Sequence, residues 1–362
     1  MRIALIEPYY GGSHKYWADR LYDLSEHSID LYTMPARYWK WRMQGSAFHI
    51  SAQINAKDIH YDLFLVSDMI DLALFRSLLT HKTPCILYMH ENQLCYPFSS
   101  RDKQKDQELG YGFLNYKSCL SADKILFNSQ YHLKVFLEAC KALLLKMPDY
   151  NTLESLDIIL NKASVMPIGL DLATLNSESE NKLLKSEIPV ILWNHRWDED
   201  KNPAFFKKFL DELHANNDEF RLILTKQSPH ENEIFEALVS KYEDRILHAE
   251  YCESFSDYVR LLQSSDYVFV SPGHDFFGIS VLEAVYCGAC PLLPKSRVYS
   301  EHFNESEFPE LYYSDLNEIR AIFLKALHKD KSLKIRLKSL IEGYNWKALI
   351  KRYDNYLSEL GN

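Results

Sequence analysis

Glycine and proline are scarce in this chain, 11 and 13 of 362 residues. That scarcity excludes collagen-like or linker-like material and disfavours a turn-rich all-β repeat protein. No apolar run approaches the ~20 residues needed to span a bilayer. The opening Met1-Arg-Ile-Ala-Leu-Ile is too short for a signal peptide. The expectation is a cytoplasmic protein with no membrane partner. Positive charge is in deficit, 41 basic against 50 acidic residues for a net of −9. A broad nucleic-acid-binding surface leans the other way, so any nucleic-acid contact here is local. Cysteine is sparse and odd in number, seven in all. The lone Cys287-Gly-Ala-Cys290 pair has no second pair to complete a zinc site, and the other thiols sit in apolar runs, as reduced buried thiols do. Internal repeats and low-complexity tracts are also missing.

What is present is an ordinary globular composition, 47% apolar and 25% charged, in a chain long enough for two domains. Short β-branched or aromatic runs recur, each followed by a helical pattern. Strands are expected at 3–6, 29–32, 63–66, 85–89, 125–128 and 164–167, then at 190–193, 221–225, 245–248, 267–270, 289–293 and 311–313. The runs are continuous instead of alternating, as in a parallel sheet covered on both faces. Segments 204–214 and 231–242 carry apolar residues at helical spacing and read as crossover helices. The fold class is therefore α/β, with two Rossmann-like doubly wound domains facing a central cleft. We place the N-terminal, acceptor domain at 1–172, a polar linker at 173–187, the C-terminal domain at 188–344 and a terminal amphipathic helix at 345–362.

Chemistry-bearing residues cluster where strands are expected to end. After strand one comes Glu7-Pro-Tyr-Tyr-Gly11-Gly12-Ser13-His14-Lys15. Two glycines let backbone approach a ligand and leave amides at a helix start, a natural anion site; a bare tight turn reads the same way. The dinucleotide fingerprint is absent. His90-Glu91-Asn92 follows the strand at 85–89, and Leu94 stands where a zinc protease needs its second histidine. Arg196 and Lys201, five apart after strand 190–193, can converge on a phosphate pair or be consumed by Asp198, Glu199 and Asp200. After strand 267–270, Asp275-Phe276-Phe277-Gly278-Ile279 leads into a helix holding Glu283. Two acids flanking a helix start suit a polyhydroxylated ligand joined to a diphosphate. Finally, Arg37-Tyr-Trp-Lys40-Trp-Arg42 mixes cations with aromatics. That pattern fits stacking on unpaired RNA bases, and equally a packed stretch with snorkelling cations. Lys15, Arg101, Lys103 and Lys105 extend the basic footing.

Together these elements resemble the retaining nucleotide-sugar glycosyltransferases of the GT-B fold, over nearly the whole chain. The strings Glu7-Pro-Tyr-Tyr-Gly-Gly-Ser-His, Pro35-Ala-Arg-Tyr-Trp-Lys-Trp-Arg-Met, His90-Glu-Asn-Gln-Leu-Cys-Tyr-Pro, Phe127-Asn-Ser and Trp193-Asn-His-Arg-Trp narrow the likeness. They look like the tRNA-queuosine α-mannosyltransferase branch. The resemblance implies a GDP-mannose donor, the queuosine of tRNA-Asp as acceptor, and no metal or other cofactor. It puts Arg196 and Lys201 on the diphosphate, Asp275 and His90 on the donor sugar, and Glu283 on the ribose hydroxyls. Gly11, Gly12, Phe276, Phe277, Gly278 and Ile279 are then expected to line the donor. Ser13, His14, Lys15, Arg37, Lys40, Arg42, Glu91 and Asn92 are expected on the acceptor side. Two positions depart from the family: Asp275 stands where Glu is usual, and Lys226-Gln227 replaces a glycine-rich turn. The rival readings are a same-fold enzyme with a lipid, glycan or small-molecule acceptor, a non-catalytic tRNA-binding relative, and a nucleotide-sugar epimerase.

Overall fold

The runs Leu63–Ser67 and Cys85–Met89 are buried at every position, which a sheet allows only when both of its faces are covered. In the computed structural model, which describes residues 1–57, 59–96, 105–177, 187–226, 233–295 and 297–360, with the side chains of 105–109 excepted, these runs are inner strands. The first sheet comprises β1 (Arg2–Tyr10), β2 (Ser28–Pro35), β3 (Leu63–Ser67), β4 (Cys85–Met89), β5 (Lys124–Phe127) and β6 (Ala163–Val165), in the order β2-β1-β3-β4-β5-β6. The second comprises β7 (Val190–Trp193), β8 (Arg221–Leu224), β9 (Ile246–His248), β10 (Tyr267–Phe269), β11 (Cys290–Pro294) and β12 (Tyr312–Tyr313), in the order β12-β11-β10-β7-β8-β9. Every pairing is parallel. The expected strands are all there, as are the crossover helices Pro203–Ala215 and Glu233–Lys241.

In each sheet the winding direction reverses once, between β1 and β3 and between β7 and β10. Ligands of such sheets bind at the carboxyl ends of the strands at the reversal. The loops leaving these strands carry most of the residues singled out above.

The units of the chain are 1–169 with 346–362, and 170–345. This shifts the expected boundaries. Helix Leu172–Leu175, partly inside the stretch read as linker, belongs to the second unit and packs on helices Phe255–Gln263 and Ile279–Tyr286; residues 178–186 lie outside the described residues. The terminal helix, Trp346–Ser358, buries Trp346, Leu349, Ile350, Tyr353 and Leu357 in the first unit. Its Tyr353 hydroxyl bonds Trp17 Nε1 and the Tyr88 hydroxyl, each at 3.2 Å, and Pro167 O at 3.0 Å. Helical spacing shows that this segment has an apolar face; it does not say which core that face covers.

Candidate active site

Strand β1 runs out at Tyr10, and Gly11 caps the helix Gly12–Leu24. Gly12 sits at φ +54°, in the left-handed region that glycine enters at little cost. The turn brings His14 back over the strand. Its Nδ1 lies 3.0 Å from Oε2 of Glu7, whose Oε1 accepts the Tyr9 amide at 2.8 Å. From the end of β4, His90 sets its ring 4.1 Å from that of His14 and its Nε2 3.7 Å from the same Glu7 oxygen. The backbone of His90 is fixed on both sides, its amide donating to Asp68 Oδ1 at 3.0 Å and its carbonyl accepting from Asn128 Nδ2 at 2.8 Å. Its ring is boxed by Trp17 and Tyr88, at 4.8 and 4.7 Å.

Among the described residues, both ring nitrogens of His90 are buried without a hydrogen-bond partner, as are Oδ2 of Asp68 and Nδ2 of Asn92. Each such orphan costs about 1–3 kcal/mol. Their grouping on the loops leaving β3 and β4 marks a place that awaits polar groups. Burial works against a charge on His14, but the Glu7 carboxylate wins and lifts its pKa to about 9. Burial, with the nearby His14 and His132 charges, pushes His90 well below the usual histidine range, so His90 is neutral. Burial raises Asp68. This cluster of the first unit thus offers one charged imidazole, one neutral imidazole and one proton-retaining acid. Glu7, His14 and His90 also gather ligand atoms within 4.8 Å, a spacing that would admit a metal ion. The direct Glu7–His14 bond joins two of those atoms, and His90 Nε2 stands 3.7 Å from the same Glu7 oxygen.

The remaining acceptor-side candidates divide. Ser13 and Lys15 are exposed, and the Lys15 ammonium reaches Asp19 and the Tyr10 hydroxyl. Glu91 accepts from Gln93 Nε2 at 3.0 Å, and Asn92 is fully buried. In the basic-aromatic stretch, Tyr38 takes φ 53° and starts the helix Trp39–Asn55. Arg37 is exposed, with Tyr38 76% and Trp41 61% exposed. Lys40 lies over the Trp39 ring at 5.5 Å, and Trp39 packs on Tyr111. Arg42 departs from expectation: it is buried, and its Nε donates to Pro35 O at 3.2 Å. A helix turns successive residues by 100°, so the cations of this string cannot share one face. Arg101, Lys103 and the Lys105 side chain lie outside the described residues, as does Gln227.

In the second unit, the loops leaving β7 and β10 meet at the reversal point. Arg196 is 41% exposed and pairs with Asp198 at 3.2 Å and Asp200 at 2.8 Å. Lys201 is sequestered; its Nζ donates to His274 O at 2.6 Å and Asp275 Oδ1 at 2.7 Å, with Asp200 at 3.4 Å. The ion pairing weighed from sequence is therefore real, and it gathers both cations around the buried Asp200 carboxylate, with Lys201 reaching on to Asp275. Asp275 receives a second bond, from the Tyr299 hydroxyl at 2.6 Å. Burial opposes its charge, but Lys201 and His195 outweigh burial and hold the carboxyl at about 2.

Gly278, at φ +80°, opens the helix Ile279–Tyr286 with no side-chain cap. A Cβ there would lie 2.7 Å from the Tyr299 ring, so glycine is required twice over. Phe276 and Phe277 are buried, against His274 and His302; any ligand contact at these positions is through the backbone. Glu283 is buried and accepts from Tyr258 at 3.2 Å, and burial raises its pKa to about 7. Asn194 ties this helix to β7, donating to Tyr258 at 3.0 Å and Ser280 O at 2.8 Å.

The structure joins Arg196, Lys201 and Asp275 in one network through Asp200, and sets Glu283 in a separate one with Tyr258 and Asn194. It joins His14 to His90 through Glu7. Glu7, Asp68, Tyr258 and Tyr299 went unassigned in the sequence. Asp68 follows β3 directly, so the rule that led to His90 would have found it. Tyr299 has no such signal, since it reaches Asp275 from across 24 residues.

A profile described as the N-terminal part of tRNA-queuosine alpha-mannosyltransferase matches residues 2–170. Among solved structures, sucrose-phosphate synthase from Thermosynechococcus elongatus superposes with a TM-score of 0.71 at 15% identity, covering 99% of both chains. An Anabaena protein in complex with UDP-glucose gives 0.66 at 13% identity, over 99% of this chain and 100% of that one. These likenesses show the GT-B fold. A Drosophila melanogaster tRNA-queuosine alpha-mannosyltransferase is 32% identical over 309 residues, 83% of this chain and 81% of its own. The chain is a glycosyltransferase, and it belongs to the tRNA-queuosine alpha-mannosyltransferase family.

Proposed function

We propose that the protein transfers mannose from GDP-mannose to the queuosine of tRNA-Asp, in the cytoplasm, with retention at the anomeric carbon and without a metal. The observation that carries this reading is the placing of two cations, the half-buried Asp275 and the buried Glu283 about one reversal point, beside an uncapped helix start. Arg196 and Lys201 hold the diphosphate and, with the Gly278 helix start, stabilise the charge that grows on it as the glycosidic bond breaks. Asp275 accepts sugar hydroxyls and Glu283 accepts ribose hydroxyls. A queuosine hydroxyl attacks the anomeric carbon from the face the diphosphate leaves, and the departing phosphate oxygen takes its proton. Neutral His90, with its unpartnered ring nitrogens, supplies a hydrogen bond to the sugar. The acceptor meets Ser13, His14, Lys15, Glu91 and Asn92, the half-buried Lys40, and the exposed Arg37, Tyr38 and Trp41. No helix among the described residues is long and apolar enough to cross a membrane.

The test is incubation with GDP-mannose and purified tRNA-Asp, with and without queuosine, followed by nucleoside mass spectrometry. A hexose on queuosine alone is expected. Hexose on neither tRNA, with transfer to a lipid or glycan instead, would hand the reading to the rival acceptors; donor conversion with no acceptor would point to an epimerase.

A further inference from the structure

Asp275 is one methylene shorter than the glutamate usual at its place, and a short carboxylate reaches a sugar hydroxyl only if it is held in one position. Two donors hold it: the half-buried Lys201 on Oδ1 at 2.7 Å and the buried Tyr299 hydroxyl on Oδ2 at 2.6 Å. Tyr299 is 1% exposed, at the start of the short helix Tyr299–His302 that follows β11. Its ring fills the space that the missing side chain of Gly278 leaves, with Cε1 2.7 Å and the hydroxyl 3.0 Å from where a Cβ would be. The phenol therefore spans from the donor-site helix start to the donor-site acid.

From this geometry we infer that Tyr299 is a positioning residue for donor-sugar recognition, fixing Asp275 at the place where its remaining lone pairs meet the sugar hydroxyls. The inference rests on the nucleotide-sugar reading above. A carboxylate offers about four acceptor sites, and Lys201 and Tyr299 take one on each oxygen. What is left of each oxygen accepts in a fixed direction, which is a means of choosing among sugar epimers. Tyr299 keeps its proton, because burial, and then the Asp275 charge beside it, drive the phenol well above its ordinary range. It therefore acts as a donor throughout the working pH range.

Tyr299→Phe removes one hydroxyl and keeps the ring against Gly278. Wild-type protein is first screened by calorimetry against GDP-, UDP- and ADP-sugars, so a wrong donor assignment shows up separately, and the variant is compared on the donor found. The expected result is about a tenfold weaker affinity for the nucleotide-sugar, the loss of one charge-assisted hydrogen bond's worth. Affinity for the bare nucleoside diphosphate should stay within about twofold. The acid limb of sugar-nucleotide binding should move to higher pH, since the bond from Tyr299 lowers the Asp275 pKa. In an Asp275→Asn background the same substitution should cost nothing further, because Tyr299 acts through Asp275. Equal loss for nucleotide and nucleotide-sugar, no loss for either, or full additivity with Asp275→Asn would each overturn the inference.

Discussion

Arg196 and Lys201 have the same proposed partner and different surroundings, and their substitutions should separate accordingly. Arg196→Ala removes a guanidinium that is 41% exposed. Transfer should fall about 10²-fold, a term of order 3 kcal/mol, with the melting temperature little changed. Lys201→Ala strips the main cation from the Asp275 carboxylate, which is 18% exposed, so transfer and stability should fall together. Paired kinetic and thermal measurements on the two variants check the split. Glu283 gives a test with a sign. Its folded pKa of about 7 lies above the ordinary glutamate value of 4.5, so the folded state holds the proton more tightly. The stability this confers is present below pH 4.5 and is lost as pH rises through 7. Glu283→Gln should remove that decline, leaving the ligand-free protein more stable at pH 8, by on the order of 3 kcal/mol at most, and weakening donor binding. Metal dependence is tested at the same scale: transfer should survive a strong chelator. Loss on chelation with rescue by a divalent ion would make Glu7, His14 and His90 ligands. Arg196, Lys201 and Asp275 were legible as candidates because loop residues after a strand meet at a sheet's reversal whatever their partners, and Glu283 because it lies in the helix that the second of those loops starts. Tyr299 was not, because its meeting with Asp275 depends on how β11 and the helix after it lie against β10.

The helix Trp39–Asn55 shows what local pattern does and does not give. Its sequence offered cations and aromatics together, and the alternatives of RNA contact and packing were left even. In the structure Trp39 and Arg42 pack inward, while Arg37, Tyr38 and Trp41 face solvent and stay available for a contact. The inward pair could not be told from the outward one until the helix start at Tyr38 was fixed. Charge reversal should therefore have two outcomes on one helix. Arg37→Glu with Lys40→Glu should raise the KM for tRNA severalfold and flatten its salt dependence, with donor binding intact. Arg42→Glu should instead cost folded protein, by placing an unpaired charge in a buried site. An unchanged tRNA KM in the soluble double variant would remove this helix face from the acceptor site. The strand set was the most legible level, because a parallel strand buried on both faces has little freedom in composition.

Across the whole chain, the first unit is discontinuous: it is left at Gly169 and rejoined at Trp346. Removal of 346–362 should therefore unfold the first unit, not shorten the second. Trp17 and Tyr88 would lose Tyr353, and Ser25 and Glu26 would lose the Asp354 carboxylate that they bond at 2.5 and 3.1 Å. Limited proteolysis of the truncated chain should leave a fragment near 170–345 and digest the rest. The same topology sets an order in time. A ribosome adds about 5–20 residues per second, so roughly 10–35 s pass between the emergence of Gly169 and that of Trp346. For that interval the earliest-made sheet waits without the helix that closes it, while the segment made in between can fold from its own residues alone. The codons for this helix thus complete what those for 1–169 began. A premature stop near residue 345 should be as damaging as one far upstream, and slow decoding across 170–345 should lengthen the exposure of the N-terminal core to chaperones and proteases.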